Sequence, residues 1–177
     1  MKRYLPMGAG RALFATGLLM LSWTASAQSP RAAPWPPALL PAAQQADAIH
    51  VYKAQRRMDL LRAGKVIAHY RIALGGTPVG HKRQQGDSRT PEGDYRISFR
   101  NPRSRFHLSL RISYPDEADR RQAAARGVDP GGDIMIHGAT PPGYTSDWTE
   151  GCIAVTNREM EEIWQRVPVG TPVRIDP

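Results

Sequence analysis

From Ile49 onward the apolar residues fall mostly on every second position, which is the period of a β-strand. Ile49 and Val51 alternate with His50 and Tyr52. After an Ala63-Gly64 turn, Val66, Ala68, Tyr70, Ile72 and Leu74 make one face. Tyr95, Ile97 and Phe99 alternate with Arg96, Ser98 and Arg100. Leu108, Leu110, Ile112 and Tyr114 alternate with Ser109, Arg111 and Ser113. Ile134 and Ile136 flank Met135, Ile153 and Val155 face away from Cys152 and Ala154, and Val173 and Ile175 follow the same rule. Sixteen prolines and sixteen glycines among 177 residues supply turns and argue against a helical bundle. Two segments break the pattern. Residues 116–126 are polar and alanine-rich and predict a short exposed helix. Residues 158–167 place Met160, Ile163, Trp164 and Val167 at helical spacing, with a Thr156/Glu159 capping box before them and Pro168 after. The expected domain, 47–177, is mainly β, a sandwich or open barrel with one or two short helices.

Upstream of this domain the composition changes. Lys2, Arg3 and Arg11 precede a mostly apolar run over 12–23, and Ala25-Ser26-Ala27 matches a small-residue cleavage pattern. Residues 1–27 read as an export signal, cut before Gln28, so the expected location is the periplasm or cell envelope. A bilayer-spanning helix needs about 20 apolar residues, so membrane contact is expected only through an uncleaved signal. Residues 28–46 hold five prolines (Pro30, Pro34, Pro36, Pro37 and Pro41) and read as an extended linker. The formal charge is +8 and becomes +5 without the three basic residues of the signal. That mild positive charge suits an anionic envelope polymer. No basic–aromatic pattern appears, so nucleic acid is not an expected partner.

Cys152 is the one cysteine, which excludes an intramolecular disulfide and any multi-cysteine metal site. No metal or cofactor is expected. It stands in Thr149-Glu150-Gly151-Cys152-Ile153, at the start of a predicted strand. A lone cysteine is most often a buried hydrophobe. Beside a polar turn in an exported chain, however, an idle thiol only invites oxidation. His137 ends the strand-like run Asp133-Ile134-Met135-Ile136-His137-Gly138, fifteen positions earlier. Its imidazole would take the thiol proton as a base, or hold a thiolate–imidazolium pair. His50, His69 and His81 sit in loop or surface contexts, and His107 is the reserve candidate. The loop 75–93, with five glycines and two prolines, reads either as functional or as an insertion.

Taken together, His137-Gly138, ten loop residues and Thr149-x-Gly151-Cys152-Ile153 resemble the active-site signature of the L,D-transpeptidase (YkuD-type) family of bacterial cell-wall enzymes. Pro78-Val79-Gly80-His81-Lys82, Arg89-Thr90-Pro91-Glu92-Gly93-Asp94-Tyr95, Asn101-Pro102 and Asp147-Trp148-Thr149 agree with it, and the likeness runs from about 48 to 176. The resemblance implies a β-sandwich-like catalytic domain, a cysteine nucleophile and a peptidoglycan stem-peptide substrate. Two positions depart from it. Glu150 stands where many members have histidine, and Ala154 where arginine is common. The Trp148-to-Val155 version resembles a proteobacterial branch that includes a hydrolytic member acting on lipoprotein–peptidoglycan links, which leaves the acceptor open.

The expected chemistry is acyl transfer through a Cys152 thioester, with His137 as base and the backbone N–H groups of Gly151 and Cys152 at the oxyanion. Arg89, Arg105 and Arg111 are candidates for binding stem carboxylates. Tyr144 and Trp148 would cover the bound peptide, and Thr149 would hydrogen-bond near the nucleophile or shape its turn. The alternatives are an endopeptidase or amidase that releases such links, a non-catalytic wall-binding module, and a metal amidase built on His137, His107 and Asp133. A monomer is expected.

Overall fold

The computed structural model describes Met1 and residues 34–177. The expected export signal and the first part of the expected linker otherwise lie outside the described residues. Eight strands form one open sheet: β1 (Ala48–Tyr52), β2 (Arg57–Arg62), β3 (Lys65–Arg71), β4 (Gly93–Ser104), β5 (His107–Ile112), β6 (Met135–His137), β7 (Ile153–Ala154) and β8 (Pro172–Asp176). Their order across the sheet is β3-β2-β1-β8-β4-β5-β6-β7. The β1/β8 and β6/β7 pairs are parallel and the rest antiparallel. Helices α1 (Glu117–Ala125) and α2 (Asn157–Arg166) complete the domain. The mainly β architecture with two short helices is the one the alternation predicts.

Strand β4 joins the two halves of the sheet. Its first residues pair with β8 and its later ones with β5, with register shifts between Ile97 and Phe99 and between Asn101 and Ser104. An irregularity of this kind bends a strand and re-aims its side chains. Tyr95 and Ile97 therefore point into the core while Phe99, expected on the same face, is 54% exposed. One buried cluster draws on both halves, from Ile49, Val51 and Leu60 to Leu108, Leu110, Ile136 and Ile153. Helix α2 covers part of it through Met160, Ile163 and Trp164, each contributing about 1.5–3 kcal/mol by burial. Its capping box is formed as the sequence predicts, with Thr156 Oγ1 accepting from the Glu159 N–H and Glu159 accepting from the Thr156 N–H. Helix α1 has the same device, with Asp116 and Asp119 in those roles.

Two sequence expectations change in detail. Val66 is 54% exposed because β3 is the edge strand, and the face expected to continue through Ile72 and Leu74 leaves the sheet after Arg71. Residues 40–46 of the expected linker are docked on the domain. The Leu40 and Ala46 N–H groups donate to the Gln165 and Arg166 carbonyls, each at 2.8 Å, and Ala46 is buried. The docking uses backbone N–H groups of the non-proline residues, which the count of prolines does not reveal.

Two devices tie the loops to the sheet. Lys53, 2% exposed, donates from Nζ to the Gly80 carbonyl (2.7 Å), the Thr90 carbonyl (3.0 Å) and Glu92 Oε1 (2.7 Å). A buried ammonium needs such partners, and here they pin the glycine-rich loop. Arg56 grips Asp147 through Nε and a terminal nitrogen, and the Leu74 N–H donates to the same carboxylate at 2.9 Å. The chain at 73–76 thereby runs beside 147–154, with Trp148 and Thr149 both donating to the Leu74 carbonyl.

Candidate active site

Strands β6 and β7 bring the cysteine and the histidine together. Ile136 pairs with Ile153 and His137 with Ala154. One step back along this register sets Cys152 beside Met135, on the face that His137 also uses. With strands about 4.8 Å apart and a rise of about 3.3 Å per residue, the two Cα atoms are about 8 Å apart, within reach of an imidazole. Both side chains line one cleft of ≈ 670 Å³. The sulfur is half-buried and lies 3.6 Å from the Asp133 carbonyl.

The His137 ring is held on three sides. Nδ1 is 2.7 Å from the Gly138 carbonyl. A carbonyl only accepts, so Nδ1 carries the proton and the Nε2 lone pair is left as the base. Phe106 stacks on the ring at 4.5 Å and 25°, and Trp148 meets it edge-on at 5.7 Å and 75°. Gly138 is itself fixed. A Cβ there would stand 2.6 Å from Asn157 Oδ1, the atom that accepts from the Ala139 N–H.

Burial sets the protonation of the pair. It lowers the His137 pKa below 6.5, with the Gly138 carbonyl acting in the opposite sense. It pushes the Cys152 thiol above 9.0, against the Met135 backbone N–H that faces the sulfur. Both shifts favour the uncharged forms. Of the two arrangements the sequence leaves open, the geometry therefore favours a neutral thiol beside a neutral base over a resting ion pair.

The turn before Cys152 is closely constrained. Gly151 has φ +127°, and a Cβ there would meet the Arg89 carbonyl oxygen at 2.6 Å. Thr149 shapes this turn: its Oγ1 donates to the Cys152 carbonyl at 2.7 Å and accepts from the Gly151 N–H at 3.2 Å. The Gly151 N–H, expected at the oxyanion, is thus already engaged.

The substrate-binding candidates divide. Arg105, Trp148 and Thr149 line the cleft with Cys152 and His137. Arg105 is exposed and sits over the Phe106 ring at 5.1 Å. Arg111 does not line the cleft but pairs with Asp133, which does, at 3.4 Å. Arg89 and Tyr144 do not line this cleft. Arg89 lines a separate surface cavity with Arg83 and Arg126. Tyr144 faces a cavity with Thr140 and Glu159 on the other side of the 139–145 loop. A larger cavity of ≈ 800 Å³ adjoins that one and contains neither Cys152 nor His137. His107 bonds to Glu161 at 2.8 Å. Among the described residues no group of three or more His, Cys, Asp or Glu is placed to hold a metal ion.

Lys82, Phe106 and Met135 line the cleft without having been singled out for it. Lys82 stands within a motif stretch of the sequence, and Phe106 precedes His107 at a turn. Neither position signals its role locally, since both reach the cleft through tertiary packing.

Cys152, just before β7, and His137, at the end of β6, thus share one cleft of a mainly β domain. Residues 46–175 match the model of the YkuD L,D-transpeptidase catalytic domain, and the chain belongs to that family. It is 33% identical over 125 residues to the putative L,D-transpeptidase YafK of Escherichia coli K12, an alignment covering 67% of this chain and 46% of that protein. The chain thus spans less than half the length of the curated relatives it matches. Among solved structures it is similar in fold to the helical cell shape determining protein Pgp2 of Campylobacter jejuni, with TM-score 0.58 and 24% identity over 73% of this chain and 46% of that one. It is also similar to Bd1075 of Bdellovibrio bacteriovorus, with TM-score 0.55 and 22% identity over 78% and 50%.

Proposed function

We propose that this protein is a cell-envelope acyl-transfer enzyme that forms a thioester between Cys152 and a peptidoglycan stem peptide. The observation that carries the reading is the shared cleft of Cys152 and His137, with the imidazole proton fixed on Nδ1 by the Gly138 carbonyl. The thiol proton passes to His137 Nε2 as the sulfur attacks the carbonyl of the residue joined to the leaving amine. The Cys152 N–H donates to the developing oxyanion, and Thr149 holds that turn in place. Collapse of the intermediate breaks the C–N bond, and the amine leaves with the proton from Nε2. An amine of a second stem, or water, then releases the acyl group. The export signal read at 1–27 would deliver the domain to this polymer, and the positive charge of the mature chain suits an anionic one.

Intact-protein mass measurement after incubation with a tetrapeptide stem tests the reading. A mass increase matching the acyl fragment, located at Cys152, is expected. An unmodified protein that nevertheless turns over the stem would refute it. New crosslinked dimers among the products identify an amine acceptor, and freed stems alone identify water.

The pH dependence has a definite sign. Protonation of Nε2 removes the base, and burial holds that event below 6.5. The acid limb of kcat/KM is therefore expected to have its midpoint below pH 6.5, with the alkaline side governed by a thiol above 9.0. An acid limb centred above pH 7 would contradict His137 as the base.

A further inference from the structure

The cleft contains a buried cation that these steps leave unused. Lys82 is 3% exposed and lines the cleft with Cys152 and His137. Its Nζ donates to Asp87 Oδ1 at 2.9 Å and to the Gln84 carbonyl at 3.1 Å. An ammonium has three N–H donors, so one has no partner among the described residues. Asp87 also accepts from the backbone N–H groups of Arg83 (2.7 Å), Gln84 (3.1 Å) and Arg89 (3.1 Å), so its charge is shared among several donors.

The placement is unusual for a lysine. Long cationic side chains ordinarily carry the charge out to water, and desolvating an ammonium costs several kcal/mol. Here the ammonium is held by Asp87 and the Gln84 carbonyl in a residue that lines the same cleft as Cys152. The other groups of the cleft differ. Arg105 is exposed at the surface, Asp133 is 74% exposed and engaged by Arg111, and Glu150 is exposed.

We propose that Lys82 is a specificity-determining residue, whose third N–H receives a free carboxylate of the stem peptide next to the scissile carbonyl. The proposal rests on the acyl-transfer reading. Two carboxylates have this chemistry: the C-terminal one of the departing residue, and the side-chain one of the residue that carries the scissile carbonyl. A charge-assisted bond at a rigid, desolvated donor discriminates a carboxylate from the isosteric amide, whose carbonyl oxygen accepts without a full negative charge.

The test measures the rate of Cys152 acylation by intact mass with three tetrapeptide stems. One has both carboxylates free, one is amidated at the C-terminus, and one is amidated on the side chain. The wild-type protein is expected to react about tenfold or more slowly with one of the amides, and that arm identifies the carboxylate. Lys82→Met is expected to slow the free acid by a similar factor and to react equally with acid and amide. Lys82→Arg restores the preference. Lys82→Gln, which keeps a donor toward Asp87 without charge, gives the same reading should the methionine variant fail to fold. Retention of the wild-type preference in the uncharged variants, or equal slowing on every stem, overturns the proposal. Absence of any adduct on the wild-type protein removes the acyl-transfer reading itself, and this assignment with it.

Discussion

Cys152→Ala is expected to lose the acyl adduct entirely and to reduce turnover of stem peptides by about 10⁴-fold or more, the scale seen when a nucleophile is removed from a preorganised site. The fold should survive. The side chain is half-buried, the sulfur lies 3.6 Å from the Asp133 carbonyl, and the change removes a single sulfur. Unfolding in urea should therefore shift by no more than about 1 kcal/mol. The pairing of lost chemistry with kept stability is the informative result. If the alanine protein still processed stems at a comparable rate, the sulfur would not be the nucleophile. Cys152→Ser is expected to be nearly as inactive, because His137 is poised as a weak base by burial and an alkoxide is far harder to generate than a thiolate.

Gly151→Ala should produce the second large effect, and on both measurements at once. The residue holds φ +127°, a conformation that costs a side-chain-bearing residue about 1–3 kcal/mol. The added Cβ also meets the Arg89 carbonyl oxygen at 2.6 Å and Ile134 Cδ1 at 3.1 Å, and the first of these is backbone that cannot swing aside. A loss of about 3 kcal/mol or more in urea unfolding is expected. Relief of the clash must displace the turn that carries the Cys152 N–H. A misplacement of about 1 Å at a reacting group costs on the order of 10²-fold in rate, so acylation should fall by at least that factor in whatever fraction stays folded. An alanine variant with wild-type stability and wild-type acylation would show that the turn tolerates another path.

How much of this was legible in the chain depends on how local each cause is. Strands with one wet and one buried face, such as β8 with Val173 and Ile175 buried between the exposed Pro172 and Arg174 and the half-buried Asp176, announce themselves by alternation. Strand β2 does not. Met58, Asp59 and Leu60 are buried consecutively, so its pattern has no period of two. The cap of α2 was readable because Thr156 and Glu159 are three residues apart and act on each other. Phe99 was not, since its exposure comes from a register shift against β5 that no neighbour in sequence encodes. The site divides in the same way. Cys152 and His137 could be named from residue type, flanking glycines and family resemblance. Arg89 and Tyr144 could not be placed, because which side of a loop a side chain leaves from is decided by packing elsewhere. Phe106 and Lys82 were missed for the converse reason. Their importance lies in what the fold sets beside them, an imidazole thirty-one positions away for the first and a thiol seventy positions away for the second.

The chain at 73–76 has a consequence for how a peptide can approach the sulfur. Ala73 and Ala154 exchange N–H···O bonds at 2.9 Å in both directions, and Gly76 donates to the Thr149 carbonyl at 3.0 Å. The Ala73–Ala154 pair occupies the outer rim of β7, the last strand of the sheet, and the Gly76 bond covers Thr149 just before the Gly151 turn. Among the described residues, the rim of β7 beside Cys152 therefore leaves no vacant ladder for a ligand to extend as a ninth strand. Selectivity must come from discrete groups lining the hollow, and an extended chain of arbitrary sequence gains nothing from its own amides there.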